Sequence, residues 1–267
     1  ASRLHREGRR FNPVIAHHKE HHAAMSWRFE YHETLGSTSD LCKARAEAGE
    51  PEHLAVQAFS QTSGRGTRGR TWTDPGGNLA ISLLFRPADP AAFIAALPFV
   101  VAVALFETAT HFCPAVTGPS RFMLKWPNDL LMDGRKMAGV LIETGGPQGS
   151  PWVVVGIGAN LRQAPEIPGR RLAALAEATD PPSVEAFGKV LVAQIERWTT
   201  IRDREGFTPV RAAWLARAHP VGTPLAVQRC ETYITGSFSG LDAQGRLLLA
   251  LPHGETIPVV TGDILLD

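Results

Sequence analysis

Apolar positions along this chain alternate between short continuous runs and helical spacing, and the switches between the two define its predicted elements. Leu54–Phe59, Leu79–Phe85 and Trp152–Leu161 are compact apolar runs, which predicts strands. Phe122–Trp126 and Met137–Thr144 are rich in branched and aromatic residues and also read as strands, and the Pro127-Asn128-Asp129 and Asp133-Gly134 steps between them are turn chemistry. Helical spacing appears elsewhere. Asp40–Ala48 predicts a helix with Ser39 as its N-cap and Gly49 as its stop. Pro90–Phe112 predicts another, with a break near Pro98. Ser183–Thr200 sets Val184, Phe187, Leu191, Ile195 and Trp198 on one helical face, and Pro209–Ala218 is a further amphipathic helix. The texture changes after His219. From Gly222 the chain reads as short strands at Pro224–Val227, Tyr233–Gly240, Arg246–Leu251, Thr256–Val260 and Ile264–Leu266, separated by turn residues, which predicts a small barrel.

Composition narrows the class without choosing a function. A chain of 267 residues, 44% of them hydrophobic, suffices for one sizeable core plus a small appended domain. The formal net charge of +1 gives no case for a polyanionic partner, because the arginines gather at one loop and not along a helix face. Cys42, Cys113 and Cys230 are odd in number and far apart, which fits a reducing cytoplasm and offers no metal motif. The most apolar run, Phe93–Phe106, holds about 14 residues and falls short of the roughly 20 that span a bilayer, so it is expected to be a buried helix. Residues 1–24 are basic, carry His17, His18, His21 and His22, and lack a signal-peptide core; they are expected to be a disordered leader, with Met25 as the natural start.

Polar chemistry concentrates where the strands end. Leu124–Glu143, reading LKWPNDLLMDGRKMAGVLIE, places Lys125, Asn128, Asp129, Arg135 and Lys136 at strand ends and on a hairpin, a suitable place for an anion, although the same charges would suit a solvated hairpin. Ser60–Trp72, reading SQTSGRGTRGRTW, is an anion-binding loop: Gly64, Gly66 and Gly69 permit close backbone approach, while Arg65, Arg68 and Arg70 supply planar forks for phosphate or carboxylate. Gly64, Gly69, Arg70 and Thr71 match a P-loop apart from arginine replacing lysine, but Pro75-Gly76-Gly77 forbids the helix that a P-loop must open. A dinucleotide fingerprint at Gly156 and Gly158 fails too, because Leu161 stands at its third glycine and two prolines follow. Those glycines mark a bending strand or a close backbone approach.

Together with Gly36-Ser37-Thr38-Ser39-Asp40 before the first helix, these three stretches, in this order, resemble the biotin protein ligase family, enzymes that attach biotin to a lysine of biotin-dependent carboxylases. The resemblance covers about Phe29–Asp267. It implies an α+β fold: a biotin/lipoate ligase-like mixed-sheet catalytic domain over 25–219 and a small C-terminal SH3-like β-barrel over 220–267. The implied chemistry uses ATP and Mg²⁺ to form biotinyl-5'-adenylate, which a lysine of a biotin carboxyl-carrier domain then attacks. It asks for cations and amides held where charge develops, and for no covalent side-chain intermediate.

By motif position, the resemblance implies that Lys136, Arg65 and Asp129 act in catalysis, with Lys136 on the biotin carboxylate and α-phosphate. A biotin subsite of Ser37, Thr38, Ser39, Gln61, Gly64, Lys136, Gly139 and Gly156 is implied, its hydroxyls and amide meeting the ureido group, whose donors and acceptors need partners once buried. The nucleotide would meet Arg65, Gly66, Thr67, Arg68, Arg70, Trp72, Lys125, Asn128 and Asn160, and Asp129 with Asn128 would organise Mg²⁺. Trp72 and Trp126 support the site or core, with stacking on adenine open to one of them. The expected partners are a carrier protein, biotin and ATP, with no nucleic acid and no membrane; a homodimer stays open.

Two positions depart from the family pattern. Ser39 stands where the Ser-Thr-Asn signature has asparagine, and Thr67 where the GRGR stretch has its second arginine. A lipoate ligase or octanoyl transferase is the alternative of the same fold, but lipoyl lacks a ureido group for Ser37, Thr38 and Gln61. A biotin-responsive repressor is disfavoured by the roughly 28 residues before the catalytic resemblance, too few for a winged helix. A catalytically silent vitamin-binding protein is disfavoured by Lys136 and Arg65.

Overall fold

The computed structural model describes residues 27–114, 120–147, 149–229 and 232–266. The leader, Met25, Cys230 and Asp267 lie outside them. Seven strands form one mixed sheet in the order β1-β2-β3-β7-β6-β5-β4: β1 (Arg28–His32), β2 (Leu54–Ala58), β3 (Leu79–Phe85), β4 (Phe122–Lys125), β5 (Asp129–Met132), β6 (Arg135–Gly145) and β7 (Trp152–Ala159). Only β1 and β2 run parallel; every other neighbouring pair is antiparallel. All seven residues of β3 are buried, which explains a continuous apolar run where a half-exposed strand would alternate.

The two faces of the sheet are covered differently. Leu54, Val56, Leu84, Trp152 and Val154 pack on Cys42 and Ala46 of α1 (Thr38–Glu47). Ala55, Leu79, Ile81, Leu83, Val153, Val155 and Ile157 point the other way, into the main core with α2 (Pro90–Phe112), α3 (Val184–Glu205) and α4 (Phe207–Leu215). α2 has the expected extent of 23 residues, but its apolar character is not confined to Phe93–Phe106: by length and composition the helix is long and apolar enough to cross a membrane, and 61% of its most apolar window is buried in this core. No break occurs at Pro98, and Asp89 caps the start by accepting from Ala92 N at 3.1 Å.

Several boundaries differ from expectation for local reasons. Ser37, not Ser39, caps α1, accepting from Asp40 N at 3.4 Å, because the Ser39 hydroxyl is engaged with Ser82. The last helix ends at Leu215, since Arg217 O takes Leu124 N at 2.8 Å and Ala218 lies beside β4. Two strands had no sequence signal strong enough to name them: β1, a partly exposed edge, and β5, four residues between turns.

The predicted C-terminal strands all form: β8 (Pro224–Arg229), β9 (Thr232–Leu241), β10 (Leu247–Ala250), β11 (Thr256–Val259) and β12 (Asp263–Leu266). They make an antiparallel sheet ordered β11-β10-β9-β8-β12, the small SH3-like unit. Its Phe238 packs on Trp214 of α4, Trp126 Nε1 donates to Gly245 O at 3.0 Å, and a β-carbon on Gly245, where φ is +80°, would strike Phe99. One apolar core thus runs through both sheets.

His219 lies in this seam, 3% exposed and 4.4 Å from the Phe238 ring. Burial, then the charge of Lys125, pushes its pKa down from 6.5 to about 4. The unfolded state therefore takes the proton first, and the stability that neutral His219 contributes is present above about pH 6.5 and lost as pH falls toward 4. Thermal midpoints should decline across this window and decline less in His219→Phe. Equal slopes in the two proteins would show that His219 does not titrate the seam.

Candidate active site

A cavity of about 860 Å³ opens between the α1 face of the sheet, the glycine-rich loop, the start of α2 and the C-terminal sheet. Its floor is built from small residues. Gly139 on β6 pairs with Gly158 on β7, Gly156 lies two residues before Gly158 on the same strand, and Ser82 lies opposite Gly156 on β3. These glycines admit protein side chains at close range: a β-carbon at Gly156 would overlap the Ser39 hydroxyl, one at Gly158 the Trp72 indole, and one at Gly139 would lie 2.9 Å from Lys136 Nζ.

Lys136 is anchored on both sides of its backbone. Its amide donates to Arg171 O at 2.9 Å and its carbonyl accepts from Ala173 N at 3.0 Å, while Leu131 pairs with it from β5. The ammonium then reaches back over Gly139 to Asp129 Oδ1 at 2.6 Å. Asp129 sits opposite Lys125 across the turn that contains the cis Trp126–Pro127 peptide. Asn128 donates to Val140 O at 2.8 Å, which ties that turn to β6.

The first turn of α1 forms the opposite wall. Gln61 Oε1 accepts from Thr38 N at 2.8 Å and Thr38 Oγ1 at 3.2 Å, and Ser82 Oγ lies 2.8 Å from Thr38 Oγ1 and 3.1 Å from Ser39 Oγ. Ser82, fully buried, was missed by sequence reading; its signal was a lone hydroxyl in the run LAISLLF. Replacing it by alanine leaves the buried Ser39 hydroxyl short of its partner. Ser82→Ala should destabilise the fold by about 1–3 kcal/mol in urea unfolding. A change below about 0.5 kcal/mol would mean that Ser39 re-pairs at once.

Of the residues expected at the site, every one except Gly64 lines this cavity. Gly64 is buried behind the wall, where a β-carbon would meet Trp72 O and Gln61 Nε2; it lets the loop close on its own base. Thr67–Gly69 make a single 3-10 turn with Arg68 at φ +58°, and Arg70 donates to Thr67 Oγ1 at 2.9 Å and Thr67 O at 3.2 Å. Arg65 is held by Asp40 and Glu143. Trp126 is buried 5% exposed and serves the seam with the C-terminal sheet, whereas Trp72 covers Gly158.

Other lining residues were not foreseen. Arg170 and Arg171 come from the segment after β7, whose start is held by Asn78: its Oδ1 accepts from Leu161 N at 2.9 Å and Arg162 N at 3.1 Å. Gln244, Gly245 and Arg246 enter from the C-terminal sheet. No local pattern marks residues that reach a cavity only through tertiary approach. Among the described residues no cluster of three His, Cys, Asp or Glu could hold a metal ion.

A mixed sheet whose glycine floor carries a lysine–aspartate pair under an arginine-bearing loop defines the class, and the chain belongs to the biotin protein ligase family. Residues 33–160 match the biotin/lipoate A/B protein ligase family and residues 230–267 the biotin protein ligase C-terminal domain. The chain is 40% identical over 218 residues to the biotin--[acetyl-CoA-carboxylase] ligase of Paracoccus denitrificans, covering 76% of this chain and 86% of that one. It is 30% identical over 252 residues to the Mycobacterium tuberculosis enzyme of the same name, covering 91% of each. The biotin protein ligase of Aquifex aeolicus, solved with biotin and ATP, superposes with a TM-score of 0.76 at 25% identity, over 90% of this chain and 98% of that one.

Proposed function

We propose that this protein is an ATP-dependent biotin protein ligase, with the catalytic work in residues 25–219 and 220–267 as its small C-terminal domain. The biotin carboxylate oxygen attacks the α-phosphorus of ATP and the bond to the β-phosphate bridge breaks, giving biotinyl-5'-adenylate and pyrophosphate. A carrier lysine amine, having lost its proton, then attacks the acyl carbon and AMP leaves. The observation that carries this reading is the Lys136 ammonium, fixed over the Gly139 floor beside Asp129. A cation positioned in advance stabilises charge as it gathers at phosphorus, without reorganising during the step.

The polar wall suits the biotin head. Thr38, Ser39 and Ser37 offer hydroxyls, and Gln61 keeps Nε2 as a donor while Oε1 is occupied by Thr38. Asn160 donates to Ala173 O at 3.1 Å, while its buried Oδ1 has no partner among the described residues, leaving an acceptor for the amino group of adenine. Arg65, Gly66, Thr67, Arg68 and Arg70 would cover the adenylate, with Lys125, Asn128 and Trp72 bordering it. Asp129 is the one carboxylate among the described lining residues, which fits a Mg²⁺ bound mainly by nucleotide phosphates and no dedicated cage. Such an ion would neutralise phosphate charge.

The acceptor would be the biotin carboxyl-carrier domain of a carboxylase, in the cytoplasm. Calorimetry with biotin, then ATP, followed by pyrophosphate release and transfer to a carrier domain tests the assignment. Lipoate should bind far more weakly, since it cannot satisfy the ureido-directed wall. Tight lipoate binding without biotin binding would move the protein to the lipoate branch.

A further inference from the structure

Glu143 lies outside the cavity lining yet touches the loop that covers it. Its Oε2 accepts from Arg65 Nη2 at 2.6 Å and its Oε1 from Lys43 Nζ at 2.9 Å. Asp40 Oδ1 lies 2.9 Å from the same Arg65 nitrogen and 3.2 Å from Lys43 Nζ. Two cations and two carboxylates therefore alternate in a closed ring. Three separate elements meet in it: the glycine-rich loop through Arg65, α1 through Asp40 and Lys43, and β6 through Glu143.

The ring is sheltered on one side. The side chains of Lys43 and Glu143 are 23% and 21% exposed, against 37% for Arg65 and 55% for Asp40. Burial works against the charge on Lys43, but hydrogen bonds to Glu143 and Asp40 outweigh it and raise its pKa. A single exposed ion pair contributes little, whereas one guanidinium shared between two carboxylates, the Glu143 one largely sheltered, is held by charge-assisted hydrogen bonds to two elements at once. The loop's backbone bonds, Trp72 N to Gly64 O at 2.9 Å and Gly66 N to Arg70 O at 2.7 Å, close the loop on itself and do not reach α1 or β6. Arg65 makes that reach.

We infer that Glu143, assisted by Asp40, is a positioning residue: it clasps Arg65, holds the Gly64–Arg70 loop over the cavity, and so sets how long the adenylate is retained. The retention part rests on the ligase reading; the clasp itself does not. Glu143→Gln keeps the shape and removes the charge. In the ligand-free protein, trypsin should then cut within 65–70 about 5-fold faster or more, because a segment tied down less firmly opens more often. Pre-formed biotinyl-adenylate should leave on the order of 10-fold faster, with biotin affinity within about 2-fold of the parent.

Lys43→Met separates the clasp from a plain brace between α1 and β6. Lysine 43 contacts both carboxylates but not the loop, so this variant should keep cleavage and release near parental values. If Lys43→Met reproduces the Glu143→Gln behaviour, or if folded Glu143→Gln matches the parent in both assays, the clasp is wrong. Should Glu143→Gln not fold, Asp40→Asn on the exposed side should show the same direction of change at smaller size, and no change there overturns the proposal. A parent protein that forms no adenylate would sink the ligase reading, while the cleavage comparison would still decide the clasp.

Discussion

Lys136→Ala should lower the rate of biotin-dependent pyrophosphate release by about 100-fold or more, equivalent to at least about 2.7 kcal/mol of transition-state stabilisation. The ammonium occupies a place that few groups can fill, wedged between the Gly139 backbone and the Asp129 carboxylate. Arginine would keep the charge but spread it over a planar fork in place of a compact ammonium, so Lys136→Arg should recover only part of the rate. The fold should survive either change, because the Lys136 side chain is 34% exposed and its anchoring to Arg171 and Ala173 runs through the backbone. Circular dichroism and the thermal midpoint check that point. Near-parental pyrophosphate release by folded Lys136→Ala would remove Lys136 from the centre of the mechanism.

Thr67→Arg is expected to slow the loss of pre-formed adenylate by roughly 10- to 150-fold, the range for gaining one charge-assisted hydrogen bond of about 1.5–3 kcal/mol. The threonine offers a short neutral hydroxyl, and that hydroxyl already accepts from Arg70 at 2.9 Å. An arginine in its place would bring a guanidinium to the cavity and release Arg70 from its side-chain partner. The present protein should accordingly leak intermediate and label nearby lysines with less selectivity than arginine-bearing relatives. A chase with unlabelled biotin and ATP measures the release rate. Equal rates would mean that Arg68, Arg70 or the backbone already holds the phosphate.

The contrast between Lys136 and Ser82 shows where sequence reading succeeds. The resemblance singled out Lys136 and Asp129, and the structure brings them together almost locally, because the KWPND and GRKMAG stretches lie within a dozen residues of each other with turn chemistry between short strands. Ser82 meets Thr38 and Ser39 across more than 40 positions of chain. Nothing in LAISLLF says that α1 will lie on that face. Ser39 was misread as the cap for the same reason, since a serine before a helix satisfies local rules equally well at 37 or 39 and only Ser82 decides between them.

What the sequence determined by itself is everything governed by period and local stereochemistry: the buried strands β2, β3 and β7, the extent of α2, the start of α3 though not its end at Glu205, the five C-terminal strands, and the glycine- and arginine-rich composition of the loop. Hydrophobic period and turn residues act over a few positions, so a linear reading captures them. Tertiary structure decided that Arg65 is shared between Asp40 and Glu143, that Gly64 lies behind the wall, and that Arg170, Arg171 and Arg246 face the same cavity as Lys136. Those relations depend on which sheet face α1 covers and where the C-terminal sheet docks against Phe99 and Trp126. Packing sets both, and packing is a property of surfaces that the chain brings together only after its elements have formed.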